Sequence, residues 1–283
     1  MISKIGIDGN PYFMIHLKGT LLPARIPSLR YHYQMKAFAA ALFFLLTICT
    51  HAYTQTGVIT PGEASKKTRK SNSAFAKVID DPALPRVLII GDSISISYTA
   101  ATRELLDGKV NLHRVPGNAG ETTMGLKGLP KWLAPENGKW DLIHFNWGLW
   151  DLCYRNPQSK NQGNRDKLNG TLTHTPEAYA SNLDKIVVEL KKTGAILVFA
   201  TTTPVPEGEA GRKVGDDEIY NATALAVMKR HGVAINDLHS VVEGKMNTYG
   251  KAPGDVHFTE EGATVLAAAV ANAIKSNLKA TQH

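Results

Sequence analysis

The sequence predicts a three-layer α/β/α architecture, with helices covering both faces of a parallel sheet of about five strands. Three observations carry this. From residue 86 onward, short continuous apolar runs alternate with segments of helical length. The runs lack the alternating polar residues of a half-exposed strand, so both of their faces are buried. Each run also ends in a Gly-, Asn-, Asp- or Thr-rich stretch, as strands do when they lead into site-forming loops.

The elements follow in order. Val87–Ile90 reads as the first strand and Tyr98–Leu106 as a helix. Val110–Val115 is the second strand. Thr123–Leu133 is a helix with Leu126, Leu129 and Leu133 on one face. Residues 140–148, "WDLIHFNWG", form the third strand and lead to a polar loop over 155–175. Thr175-Pro176-Glu177 opens a helix to about Lys192, with proline just inside its start. Residues 195–204 make the fourth strand, Asp217–His231 a helix and 233–238 the fifth strand. The last helix runs from Glu260 to about Leu278 behind Thr259 as N-cap.

The chain has 283 residues, 43% hydrophobic and 20% charged, which is globular composition. Residues 83–283 read as the folded domain, and 53–82, polar and rich in Gly, Ser and Lys, as a linker. The first 52 residues differ. Met35-Lys36 precedes the apolar run "AFAAALFFLLTICTHA", which has signal-peptide length and small residues at Thr50 and Ala52 for cleavage. The expectation is therefore a signal peptide over about 35–52, a start at Met35 and a secreted or periplasmic protein. Membrane contact is expected only if this segment stays uncleaved. Ile48 before Cys49 argues against a lipoprotein.

The formal charge is +7, but residues 53–283 hold 27 Lys/Arg against 24 Asp/Glu. That balance is too mild for a nucleic-acid partner. Cys153 is the single cysteine after residue 52, so neither an internal disulfide nor a cysteine metal site is expected there. There is no Gly-x-Ser-x-Gly elbow, His-Glu-x-x-His, P-loop or dinucleotide fingerprint.

The chemistry-bearing residues sit at the strand ends. Ser93 follows the first strand in "IIGDSIS", and His257 stands in "DVHFT" just before the last helix. A serine nucleophile needs a base within hydrogen-bond reach, a group to orient that base, and donors for the oxyanion. Only the fold can unite two residues so far apart in the chain.

"IIGDSIS", "NAGETT" (118–123), "DLIHFNWGLWDL" (141–152) and "GDVHFTEEG" (254–262) together resemble, in order, the sequence blocks of the SGNH or GDSL hydrolases, over about residues 86–278. The resemblance implies a flavodoxin-like fold and a serine esterase that needs no metal or organic cofactor. Ser93 is then the nucleophile and His257 the base, with the N–H groups of Ser93 and Gly120 in the oxyanion hole. Two positions depart from the family's pattern. In the third block Gly148 and Asp151 fit, but Trp150 stands where an oxyanion Asn belongs, leaving Asn146 or the Trp150 indole as its replacement. In the last block Gly254 stands three residues before His257, where the family places Asp, and Asp255 follows it. Asp255 or a backbone group is then left to orient the imidazole.

Asp92, His144, Cys153 and Trp147 read as structural, and Thr201–Thr203 as either pocket wall or strand end. The function expected is hydrolysis of an ester on a glycan or small molecule, foremost the O-deacetylation of a carbohydrate. A lipase or thioesterase, and an impaired glycan-binding domain of the same fold, are the alternatives.

Overall fold

The computed structural model describes residues 73–134 and 138–280. The signal peptide and start expected within residues 1–52 lie outside the described residues. Among the described residues no helix is long and apolar enough to cross a membrane.

Five strands form one parallel sheet: β1 (Arg86–Ile90), β2 (Asn111–Arg114), β3 (Leu142–Phe145), β6 (Ile196–Ala200) and β7 (Ala234–Asn236). Their spatial order is β2-β1-β3-β6-β7, the flavodoxin-like winding. Val87 pairs with Leu112 on one side and Leu142 on the other, and Leu142 in turn with Ile196. The helices are α1 (Ser93–Leu105), α2 (Thr122–Trp132), α3 (Pro176–Lys191), α4 (Asp216–His231), α5 (Leu238–Val242), α6 (Met246–Tyr249) and α7 (Glu260–Ala280). Helices α1 and α7 pack on each other on one face, and α2, α3 and α4 form a second packed row. The buried strand residues Ile89, Ile90, Ile143, Phe145, Val198 and Phe199 are the middle of the core.

The order of connection reverses beside β1. Loops leaving the carboxyl ends of β1 and β3 therefore flank the crevice where ligands bind in such sheets. Ser93 leaves one of those ends and residues 146–151 leave the other.

Several boundaries differ from the sequence expectation. Helix α1 begins at Ser93, not Tyr98, because Asp92 caps it by accepting the Ile94 N–H at 2.9 Å. The third and fourth strands are shorter than 140–148 and 195–204, since Asn146 and Thr201 already turn away into the site loops. The polar stretch 155–175 contains a small hairpin of β4 (Tyr154–Arg155) and β5 (Thr171–Leu172). Within the stretch expected as linker, residues 73–82 pack on the domain. Arg103 Nη1 donates to Ser73 O, and Asn111 exchanges hydrogen bonds with the Asp81 backbone. The folded part thus begins by Ser73, ten residues before the expected boundary.

Candidate active site

The turn after β1 is built to present Ser93. Asp92 is buried and its side chain is spent on the cap, while its carbonyl accepts from Ser95 Oγ at 2.7 Å. Arg114, at the end of β2, donates through Nη2 to Gly91 O, Asp92 O and Ser95 Oγ at 3.0, 3.2 and 2.8 Å. Ser93 is therefore the first residue of a helix whose N-terminal turn is clamped from both sides. Its own N–H makes no hydrogen bond among the described residues, so it points a free donor out of the positive end of α1.

His257 reaches this serine from the loop before α7. Its Nε2 lies 2.9 Å from Ser93 Oγ, and its Nδ1 lies 2.6 Å from Asp255 Oδ1. A carboxylate can only accept, so Nδ1 carries the proton and Nε2 is left to accept from the serine hydroxyl. The same Asp255 oxygen accepts the His257 backbone N–H at 3.0 Å. That local turn lets an acid two residues before the histidine reach its ring. Burial pushes the Asp255 carboxyl up, but the bonds from His257 and its charge outweigh this and hold it below the ordinary range.

Gly254, which occupies the family's acid position, has a reason to be glycine. Its φ is +72°, and a Cβ there would lie 2.8 Å from Gly208 O. The 206–212 loop thus presses against the histidine loop, and the acid moves one position along the chain.

The other expected oxyanion donors are placed unevenly. Gly120 has φ +65° and its N–H donates to Asn118 Oδ1 at 2.8 Å. Its loop is held against β1 by the bond from Ala119 N to Gly91 O, 3.1 Å long, and touched by Trp147 Nε1 at 3.4 Å from Ala119 O. Trp147 is thus a fully buried wall of that loop. Asn146 is buried, and one N–H of its amide donates to Ala200 O at 2.8 Å, which leaves the other N–H without a partner among the described residues. Trp150 is half-buried under the Arg155 guanidinium, 4.7 Å from its ring centre, and its indole N–H makes no hydrogen bond among the described residues.

Sequence reasoning missed a polar cluster directly behind Gly120. Glu121 caps α2 by accepting from the Thr123 and Met124 N–H groups, and it meets His174 Nε2 at 2.6 Å. Asp151 Oδ1 accepts from Thr122 N and Oγ1 at 3.0 and 2.6 Å. Neither the Glu121 cap, a residue type that N-caps do not favour, nor its partner His174, 53 residues away, had a local signal. Donor atoms of Glu121, Asp151 and His174 lie within 4.8 Å of one another, as a small cation would require. The Glu121–His174 bond satisfies that pair without an ion.

Asp151 is fully buried and its Oδ2 has no partner, so burial pushes its carboxyl up to about 7. Its folded value is then above the unfolded one, and the native state binds the extra proton. Stability is lost as pH rises from about 4 to about 7. Asp151→Asn keeps an acceptor for Thr122 and abolishes this titration. We expect the variant to gain on the order of 2–4 kcal/mol relative to wild type between pH 4 and 7.5. Denaturant melts across that range check it, and parallel stability curves would refute it.

Comparison with known proteins gives the family and the fold. Residues 89–265 match the model of the "GDSL-like Lipase/Acylhydrolase family". No curated protein sequence matches the chain. Among solved structures, the acetyl xylan esterase AlAXEase superposes with a TM-score of 0.54 at 15% identity, covering 67% of this chain and 99% of that one. A lipase/acylhydrolase from Enterococcus faecalis gives 0.54 at 17% identity, covering 68% and 96%. An aryl esterase from M. smegmatis gives 0.52 at 16%, covering 68% and 99%. At these identities the likeness is one of fold.

Proposed function

The chain belongs to the GDSL-like lipase/acylhydrolase family and is a hydrolase of carboxylic esters; on that premise we propose that it is an exported enzyme that removes O-acetyl groups from a carbohydrate through Ser93 and His257. The observation that carries the mechanism is the unbroken chain Ser93 Oγ–His257–Asp255, at 2.9 and 2.6 Å.

His257 Nε2 takes the serine proton as Oγ attacks the ester carbonyl. The tetrahedral oxyanion forms at the N-terminus of α1, where the free Ser93 N–H and the helix dipole meet it. Gly120 N–H joins as second donor by exchanging Asn118 for the oxyanion. Asn146 Nδ2 keeps a second N–H beside the one it gives to Ala200 O, so the third donor is Asn146, with the Trp150 indole as the alternative. His257 then returns the proton to the leaving alcohol, and water repeats the sequence on the acyl-enzyme. Asp255 keeps Nδ1 protonated and the ring aimed at Ser93. No step needs a metal or organic cofactor.

Four features support a sugar ester over a lipid. The hairpin after β3 is polar, carrying Arg155, Asn156, Arg165 and Lys167. Trp150 offers a half-buried ring at the same rim. Residues 35–52 read as an export signal, and one structure of this fold is an acetyl xylan esterase. The test is acetate release from acetylated polysaccharides beside hydrolysis of long-chain acyl esters and acyl thioesters. Acetylated glycans are expected to be turned over at least about tenfold more efficiently. A preference for long acyl chains or thioesters would replace the carbohydrate reading with a lipase or thioesterase.

A further inference from the structure

Two insertions at the carboxyl edge of the sheet, one after β3 and one after β6, are joined into a single unit. Tyr154 N–H donates to Gly211 O at 2.6 Å and Lys167 N–H to Ala210 O at 2.9 Å. Arg212 Nε donates to Leu149 O at 2.6 Å. Inside the unit, Glu209 is fully buried and serves two guanidinium groups. Its Oε1 accepts from Arg165 Nη1 at 2.8 Å and from Arg212 Nη1 at 2.9 Å, and its Oε2 accepts from Gly211 N–H at 2.6 Å.

Glu209 is the one carboxylate hydrogen-bonded to both guanidiniums, and Arg212, only 5% exposed, has the buried Asp92 as its other charged neighbour. Neither Arg212 Nη2 nor Arg165 Nη2 has a hydrogen-bond partner among the described residues. Two guanidiniums sharing one hydrogen-bonded carboxylate keep donor capacity that an arriving anion can use. Arg165 Nε also donates to Gln162 O at 2.9 Å, so each guanidinium keeps Nη2 as its unbonded donor, one for each of two oxygens of a carboxylate or sulfate.

The charge pattern agrees. Residues 153–175 carry four Lys/Arg against one acid, an excess as large as that of the whole 53–283 segment. The unit also borders the reacting groups. Gly208 backs onto Gly254, three residues before His257. Burial pushes the Asp92 carboxyl up, opposed by its bond from Ile94 and by the charges of Arg212, His257 and Arg114.

We propose that this unit is a subsite for an anionic group, a carboxylate or a sulfate, carried by the esterified glycan and seated on Arg165 and Arg212 beside Trp150. The proposal deepens the carbohydrate reading and rests on it for the word glycan. The substrate is then an acetylated acidic polysaccharide, not a neutral one.

The experiment uses the intact protein in two assays. The first compares kcat/KM on acetylated xylan with that on acetylated polygalacturonate and on an acetylated sulfated glycan, at low and high NaCl. The second measures inhibition of aryl acetate hydrolysis by unesterified polygalacturonate, by dextran sulfate and by neutral dextran. We expect at least a tenfold preference for one anionic substrate at low salt, shrinking at high salt, with only the polyanions inhibiting. Which polyanion is preferred separates carboxylate from sulfate. Arg165→Gln should cut the acidic-over-neutral ratio about tenfold, the loss of one charge-assisted pair. Arg212→Lys, checked by thermal melting, keeps the charge but loses the fork, and should lower the ratio too.

Equal kcat/KM on neutral and acidic substrates, with no inhibition by polyanions, overturns the subsite. If no acetylated glycan is hydrolysed yet polyanions still inhibit in an Arg165-dependent way, the anion subsite stands and the carbohydrate reading falls.

Discussion

Replacing Ser93 with alanine should lower ester hydrolysis by at least about 10³-fold, and His257→Ala should do the same. The two groups act on one proton, so the double variant should be little worse than either single one. Neither change should disturb the fold. The helix cap is supplied by Asp92 and the turn is clamped by Arg114, so the Ser93 hydroxyl supports neither. His257 is 40% exposed, and its ring bonds are those to Ser93 and Asp255. Hydrolysis of p-nitrophenyl acetate by the three variants, with melts to show that each is folded, is the check. Turnover surviving in Ser93→Ala would move the nucleophile elsewhere and remove the proposed mechanism.

The second large effect is expected at Asp255. Asp255→Asn keeps an oxygen to accept the His257 backbone N–H, but it loses the charge that stabilises the imidazolium. It also weakens the hold on the Nδ1–H tautomer. In a fully buried triad such a change costs about 10⁴ in rate. Asp255 keeps 31% of its side-chain surface exposed, and solvent screens part of the charge. We therefore expect a fall of about 10²–10³ in kcat with KM little changed. Restoring the family's arrangement by adding Gly254→Asp should not rescue it. An aspartate there would need a φ of +72° and a Cβ 2.8 Å from Gly208 O. It should instead destabilise the loop by about 1–3 kcal/mol. Rescue by Gly254→Asp would show that the histidine loop can rebuild itself, contrary to the tight packing seen.

Much of the fold was legible because its signals are local. Continuous apolar runs such as Val87–Ile90 and Val198–Ala200 are what a doubly covered strand requires, and Pro176 behind the Thr175 cap announces α3. The site was half legible. Ser93, Gly120 and His257 stand at strand ends in recognisable order, whereas Asp255 stayed uncertain on spacing alone. The first turn of α1 carries no helical signal because Ser93–Ser97 alternates Ser with Ile, the period of a strand; the Asp92 cap and contact with α7 make it helix. Asn146 could be read only in part: its position suggests a donor, and only the fold shows that one of its two amide N–H groups goes to the Ala200 carbonyl of the neighbouring strand.

The sequence alone determined the layer architecture, which depends on residue type and short-range pattern, and its resemblance to a known family named Ser93 and His257 as candidate nucleophile and base. The tertiary structure decided that Asp255 reaches the His257 ring from two residues away and that Gly254 has no room for a side chain. It also decided that Glu121 meets His174 behind the oxyanion loop, and that Arg165 and Arg212 share one buried carboxylate. Each of these is a contact between segments distant in the chain or a turn set by such a contact. Their energies depend on distance and burial, which no stretch of sequence holds by itself.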